Sequence, residues 1–252
     1  MKVIKDIYYT ESRNSMQSLD IYLPETDGFK VFLYIHGGGL TAGSKALGEP
    51  FCRAMTDSGI AVVSIEYRMY PNAKYPDFIE DAASAVAWVQ NNMVLSGKYG
   101  KCNGLYVGGS SAGGYLTMML CFDRRYLAAH GLDNSVISGY IHDAGQPTAH
   151  FKVLENSGYD SRRVIIDETA PLYFVGVEKE YPPMLFIISD NDMVNRPEQT
   201  EVMLTALRHF GYDQSTIRVL RVHGNHCEYC GKLDENGESV FSGMLIPFIR
   251  EF

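Results

Sequence analysis

The chain is 252 residues long, 46% hydrophobic and 21% charged, enough for one large domain to bury a core without disulfides. Its 22 Lys+Arg against 30 Asp+Glu give a net charge of −8, the wrong sign for a protein that neutralises phosphates along a nucleic acid. Wholesale disorder and collagen-like repeats also fall outside this composition, which leaves a compact acidic domain.

In chain order, residues 4–9 and 19–23 are strand-like and flank a polar loop at 10–18, a predicted edge hairpin. Lys2, Lys5, Asp6, Glu11 and Arg13 interrupt the start of the chain, so it lacks the unbroken apolar core of a secretory signal. No stretch approaches the roughly 18 apolar residues of a membrane span. The five cysteines, Cys52, Cys102, Cys121, Cys227 and Cys230, are odd in number and scattered, which suits a reducing interior. The expected location is the cytoplasm.

An apolar run at 31–35, a helix-like segment at 47–57 and a second apolar run at 60–65 follow. Within 78–93, Ile79, Ala82, Val86 and Val89 recur at three- and four-residue spacing, which predicts a helix with one face in the core. Beyond it the pattern predicts a strand at 105–107, a helix at 112–130 closed by Gly131 and a strand at 136–142. A strand at 184–188, a helix at 197–210 that Pro197 can open and a strand at 217–222 complete it. Short apolar strands alternating with helices define an α/β fold with a mostly parallel sheet covered on both faces. Only residues 144–183 break the rhythm. This insertion is too long for an ordinary connection and is expected to form a lid or pocket wall within a single domain spanning 1–252, with Phe151, Tyr159, Tyr173 and Phe174 as candidate lining aromatics.

Two glycine-rich segments carry the chemistry. Gly109-Ser110-Ser111-Ala112-Gly113 fits GxSxG between a strand and a helix, where a serine nucleophile can be held on a sharp, strained turn that leaves no room for bulky neighbours. Ser111 is the central serine. A rival register built on Gly108, Ser110 and Ala112 would place alanine where the helix packs closest. The second segment, His36-Gly37-Gly38-Gly39, follows the run at 31–35, and its glycines let backbone N–H groups turn toward a developing oxyanion.

With these motifs the sequence resembles the α/β-hydrolase superfamily, and within it the esterases similar to hormone-sensitive lipase and to small bacterial feruloyl and acetyl-xylan esterases. The resemblance extends to Gly43, Glu66-Tyr67-Arg68, Pro71, Tyr75-Pro76, Asp81, Ala170-Pro171-Leu172 and Pro182-Pro183-Met184-Leu185. It implies a Ser, Asp, His order, with the acid after the strand that follows the insertion and the histidine after the last strand. The family's acid pattern falls on Asp192, with Asp190 as the competitor, and its histidine loop falls on His226, with His223 nearer the strand end.

The implied activity is a serine carboxylesterase with Ser111, Asp192 and His226 as triad and the N–H groups of Gly37, Gly38 and Ala112 as oxyanion hole, needing no metal or organic cofactor. The short run before His36 is expected to favour small acyl groups over lipase substrates, and the resemblance suggests acylated sugars. An aryl-formamidase and a non-catalytic binding protein on a hydrolase scaffold are the alternatives. His223, His226, Cys227 and Cys230 together read HxxHCxxC, but four ligands crowded into eight residues are unlike a structural zinc site, whose ligand pairs are separated by an intervening segment.

Overall fold

The computed structural model describes residues 1–46 and 49–252 and holds an eight-stranded sheet. Along the chain come β1 (Lys2–Tyr8), β2 (Ser18–Leu23), β3 (Phe29–Ile35), α1 (Glu49–Asp57), β4 (Ile60–Ile65), α2 (Asp77–Val89), β5 (Cys102–Ser110) and α3 (Ala112–Phe122). There follow α4 (Arg125–Ala128), β6 (Gly139–Asp143), α5 (Phe151–Asn156), β7 (Met184–Asn191), α6 (Arg196–His209), β8 (Ile217–Asn225) and α7 (Val240–Glu251). The strand order is β1-β2-β4-β3-β5-β6-β7-β8. β2 runs antiparallel to both of its neighbours, and every other pair is parallel.

Side chains alternate across a strand, so each central strand feeds two cores. In β3, Val31, Leu33 and Ile35 join the cluster shared with α2 and α3, while Phe32 and Tyr34 join the opposite cluster with Phe51, Phe241, Leu245 and Phe248. Both faces are therefore apolar, and each fully buried large side chain contributes about 1.5–3 kcal/mol. Parallel pairing sets the strand ends level: Ile35 pairs with Gly109, Ser110 with Asp143, and Asn191 with Asn225. The loops after β3, β5, β6, β7 and β8 thus emerge together at the carboxyl edge of the sheet, where open α/β sheets hold ligands.

The structure differs from the sequence expectations at several elements. The predicted helix at 112–130 divides at Asp123, which is extended (φ −102°, ψ 93°) and accepts hydrogen bonds from the backbone N–H and Nε of Arg125. A local carboxylate–backbone bond competes with the helix ladder there, and α4 restarts beyond it. The segment predicted at 78–93 ends its α-helix at Val89 and continues as a wider π turn over Gln90–Leu95. The strand expected at 136–142 starts only at Gly139, after a 3₁₀ turn over Asn134–Val136. The expected helix start at Leu47 lies outside the described residues, and α1 is described from Glu49. α7, which closes one face of the sheet, was not anticipated. Among the described residues no helix is long and apolar enough to cross a membrane.

Candidate active site

At the end of β5 the chain turns sharply into α3, and Ser111 occupies that turn with φ 57° and ψ −114°, a conformation that costs a non-glycine residue on the order of 1–3 kcal/mol. Its surroundings enforce the strain. A Cβ on Gly113 would come within 2.0 Å of the Ile35 carbonyl oxygen, so only glycine lets α3 approach β3 this closely. The Ser111 N–H donates to the Asp143 carbonyl at 2.8 Å, which fixes the turn against β6.

The Ser111 hydroxyl lies 2.7 Å from His226 Nε2, and His226 Nδ1 lies 2.5 Å from Asp192 Oδ1. Three loops, after β5, β7 and β8, therefore bring the three expected residues into one hydrogen-bonded run. Asp192 is 1% exposed and His226 23%, so the carboxylate is dry while the imidazole reaches the cavity. Ser110 points elsewhere: its hydroxyl accepts from Tyr34 Oη at 3.2 Å and sits 3.5 Å from Cys230 Sγ. The rival register is not the one that meets His226. Asp190 and His223 pair with each other instead, 2.7 Å apart and open to solvent. With His223 turned outward, the HxxHCxxC residues do not assemble as a set of four.

The His36–Gly39 loop lies against the same turn. A Cβ on Gly37 would meet the Ser110 carbonyl at 2.9 Å and Ser111 Cβ at 3.2 Å, and one on Gly38 (φ +118°) would meet the Ala42 carbonyl at 1.9 Å. Gly37 and Gly38 therefore run beside the serine, and Ala112 follows it at the first position of α3. His36 anchors this loop from behind. Its ring stacks on Tyr67 at 4.5 Å, its Nδ1 lies 2.7 Å from the Gly37 carbonyl and its Nε2 lies 3.3 Å from Glu66. The following Arg68 makes a two-pronged contact to Asp81, Nε and Nη2 each at 2.8 Å, its backbone N–H adds a third bond at 2.9 Å, and Gln17 Nε2 donates a fourth to the same carboxylate at 2.6 Å. The stretch Glu66-Tyr67-Arg68 is thus scaffolding for the glycine loop.

A cavity of about 690 Å³ opens over the serine. Gly37, Gly38, Gly39, Ser111, His226 and Met193 form one side, and Tyr34, Phe51, Phe151, Phe241 and Leu233 supply the apolar walls. Of the four aromatics expected to line it, only Phe151 does, close against Gly39. Tyr159 is half exposed with Arg163 over its ring, Tyr173 is half exposed and edge-on to Phe174, and Phe174 belongs to the core under Arg125. Those three expectations are corrected. Aromatic content in a long loop marks apolar burial without saying which surface is covered, and here the other three aromatics of the wall come from β3, α1 and α7.

Two further charged groups were missed. Arg196 is 5% exposed, donates to the Ala144 carbonyl at 2.6 Å and to Gln146 Oε1 at 3.3 Å, and lies within electrostatic reach of Asp192. Burial pulls its pKa down while the Asp192 charge opposes that pull. A sequence signal existed, since a cation at the first turn of a helix opposes the helix dipole and calls for another partner. Asp143, wholly buried at the end of β6, accepts hydrogen bonds from Tyr229 Oη and from Cys230 Sγ, the latter at 3.5 Å. Burial pushes its carboxyl up to about 6.

A sheet of this order, with a serine on a strained strand-to-helix turn and an acid and a histidine on later loops, defines the alpha/beta hydrolase class. The chain belongs to the alpha/beta hydrolase fold family, whose model matches residues 32–163, just over half of its length. It is similar to the probable isoprenylcysteine alpha-carbonyl methylesterase ICMEL2 of Arabidopsis thaliana, 32% identical over 115 residues, 45% of this chain and 27% of that protein. It is similar also to the gibberellin receptor GID1B of Arabidopsis thaliana, 34% identical over 109 residues, 41% of this chain and 30% of the receptor. The match spans less than a third of the length of either relative. Among solved structures, a truncated carbohydrate esterase from gut microbiota superposes over 99% of this chain and 97% of that one, with a TM-score of 0.72 and 20% identity, a likeness of fold.

Proposed function

We propose that this chain is a serine carboxylesterase acting on short-chain or aromatic acyl esters, acetyl or feruloyl groups on sugars among them. The observation that carries this reading is the run Asp192–His226–Ser111, buried at its acid end and open at its serine end to an apolar cavity beside Gly37 and Gly38. In the reaction, His226 Nε2 takes the proton of Ser111 as its oxygen attacks the ester carbonyl, and Asp192 holds Nδ1–H and stabilises the imidazolium. N–H groups of Gly37, Gly38 and Ala112 receive the negative charge on the carbonyl oxygen, a contribution worth about 10²-fold or more in rate for each donor. His226 then protonates the leaving alcohol, and water attacks the acyl-enzyme by the same route in reverse. The chemistry requires no metal or organic cofactor.

The cavity walls support the substrate class. Tyr34, Phe51, Phe151 and Phe241 offer aromatic surface to an acyl group, and about 690 Å³ accommodates a short chain or an aromatic ring. The relative named a methylesterase and the structural neighbour titled a carbohydrate esterase are consistent with ester cleavage. The match to a receptor favours one second reading, a binding protein on the same scaffold. A fluorophosphonate probe separates the two, because it labels only an activated serine. Labelling at Ser111, located by mass spectrometry, together with turnover in a panel of p-nitrophenyl esters, acetylated xylan, feruloyl esters and N-formylkynurenine, is the expected outcome. An unlabelled Ser111 with tight small-molecule binding would establish the receptor reading, and turnover of N-formylkynurenine alone would make the protein an amidase.

A further inference from the structure

Beside the Ser111–His226 pair the cavity wall carries a group of side chains that ester hydrolysis does not use. Cys227 and Cys230 are partly buried, bring their Sγ atoms within 4.8 Å of each other and face the cavity. One ligand atom from each, together with one carboxylate oxygen of Asp143, falls within a mutual distance of 4.8 Å, a group that His226 borders and does not join. Cys230 Sγ is 3.5 Å from Asp143 Oδ2, and Cys227 Sγ is 3.8 Å from His226 Nε2.

These separations have a chemical meaning. A tetrahedral Zn²⁺ with bonds of about 2.3 Å to sulfur and 2.0 Å to nitrogen or oxygen sets its ligand atoms roughly 3.3–3.8 Å apart. The edges Cys230–Asp143 and Cys227–His226 already have that length. Crowding of the cysteine loop argued against zinc in the sequence, yet the fold supplies the distant ligand that the local motif lacked: Asp143 arrives from β6, more than eighty residues upstream. His223, which the local motif would have enlisted, is turned away to solvent and bonded to Asp190.

We propose that Asp143, Cys227 and Cys230 form an inhibitory site for a thiophilic divalent cation of the Zn²⁺ type, which on binding draws in His226, 3.8 Å from Cys227 Sγ, as its fourth ligand. Two thiolates suit a soft or borderline metal and disfavour Mg²⁺ or Ca²⁺. On binding, each cysteine releases its thiol proton to solvent, and the metal is held by two sulfurs, one carboxylate oxygen and His226 Nε2. The same Nε2 is the atom that contacts Ser111, so a bound cation removes the base from the nucleophile. The cation enters through the cavity, which His226, Cys227 and Cys230 all line, and thereby competes with substrate for one wall.

The inhibitory consequence rests on the esterase reading; the binding site does not, and the test keeps the two apart. Purified protein, reduced and stripped with EDTA, is titrated with Cd²⁺ as a spectroscopic probe and then with Zn²⁺. One equivalent of Cd²⁺ and a thiolate-to-metal charge-transfer band in the ultraviolet are expected. Cys227→Ser and Cys230→Ser should each lose much of the band and weaken binding on the order of 100-fold, Asp143→Asn about 10-fold, and His223→Ala not at all. Alkylation of the wild-type thiols should abolish the band equally, which guards against a serine variant that fails to fold. Ser111→Ala keeps every ligand and should bind Cd²⁺ like the wild type, whether or not the chain hydrolyses any ester. In the esterase assay, Zn²⁺ should inhibit over the concentration range in which it binds, EDTA should restore the rate, and Cys230→Ser, measured against its own metal-free rate, should need about 100-fold more Zn²⁺. No stoichiometric binding, or binding without the thiolate band, overturns the site and leaves the esterase reading standing. A filled site with full esterase activity overturns His226 as a ligand and with it the inhibition.

Discussion

β7 and β8 end in two Asp–His pairs made of the same groups. Asp192 and His226 meet at 2.5 Å, and Asp190 and His223 at 2.7 Å, each aspartate coming from the β7 end and each histidine from the β8 end. Their surroundings are opposite. Asp192 is 1% exposed, and its histidine carries a third partner, Ser111; Asp190 and His223 are 54% and 94% exposed, and the histidine's other nitrogen faces water. Contact distance therefore does not tell the two pairs apart. Burial of the acid and the presence of a reacting partner do, because a dry carboxylate orients and stabilises an imidazolium where water would otherwise screen it.

The widest gap between the pairs should appear in catalysis. His226→Ala is expected to lower kcat by on the order of 10⁴- to 10⁶-fold, with no further loss when combined with Ser111→Ala, because the two act as one unit. Steady-state kinetics of both single variants and the double variant measure this, and additive losses would break the unit. Asp192→Asn, which keeps the shape but leaves the wrong tautomer, should cost about 10⁴-fold in kcat with KM little changed. A larger loss for Asp190→Asn than for Asp192→Asn would invert the comparison.

An intermediate effect is expected at Arg196, the buried cation within electrostatic reach of Asp192. Arg196→Gln leaves the Ala144 carbonyl without its donor and removes one of the two bonds to Gln146 Oε1, which keeps the Phe151 N–H, and should destabilise the fold by about 1–3 kcal/mol in urea titrations. It should also lower kcat about 10-fold through a less well-placed acid, an order-of-magnitude expectation for a residue that acts through its neighbour. Full stability in this variant would mean that the guanidinium does not hold the 144–146 turn.

The smallest effects belong to the exposed pair. His223→Ala should change kcat/KM less than twofold, as surface substitutions away from a site do. The hydrogen bond and then the charge of Asp190 raise the pKa of His223 above its ordinary value. A raised folded-state value means that the contribution of the pair to stability is complete below the unfolded value of about 6.5 and is lost as pH rises through the raised one. NMR titration of His223 should return it toward about 6.5 in Asp190→Asn, with the pH–rate profile of hydrolysis unmoved. A shift of that profile would tie the outer pair to the site.

What the sequence disclosed follows the range of the forces involved. Ser111 and the His36–Gly39 loop were legible because their constraint is local: glycines at fixed offsets answer clashes as short as 2.0 Å with the next strand's backbone. The central strands were legible because two cores demand unbroken apolar runs. Tyr159, Tyr173 and Phe174 misled because an aromatic in an insertion buries itself against whatever lies beneath, and that is a tertiary fact. Asp143 and Phe241 stayed hidden for a related reason: strand order brings Asp143 of β6 against Tyr229 and Cys230, helix docking brings Phe241 of α7 to the cavity, and no local spacing encodes either. The helix at 112–130 read as continuous because its composition is helical throughout, whereas the break at Asp123 depends on one side chain reaching Arg125.

Phe241 stands at the start of α7, and the same helix goes on to bury Leu245, Phe248 and Ile249 against the sheet. The cavity wall and a structural beam are thus one piece, so drift in substrate preference cannot proceed freely there: enlarging the wall at Phe241 also loosens the beam. Leu233 sits on the loop before α7, more than half exposed, and carries no such double duty. Divergence among descendants of this chain should therefore concentrate on the 231–233 rim, leaving the deep wall as an inherited frame within which new preferences are tried.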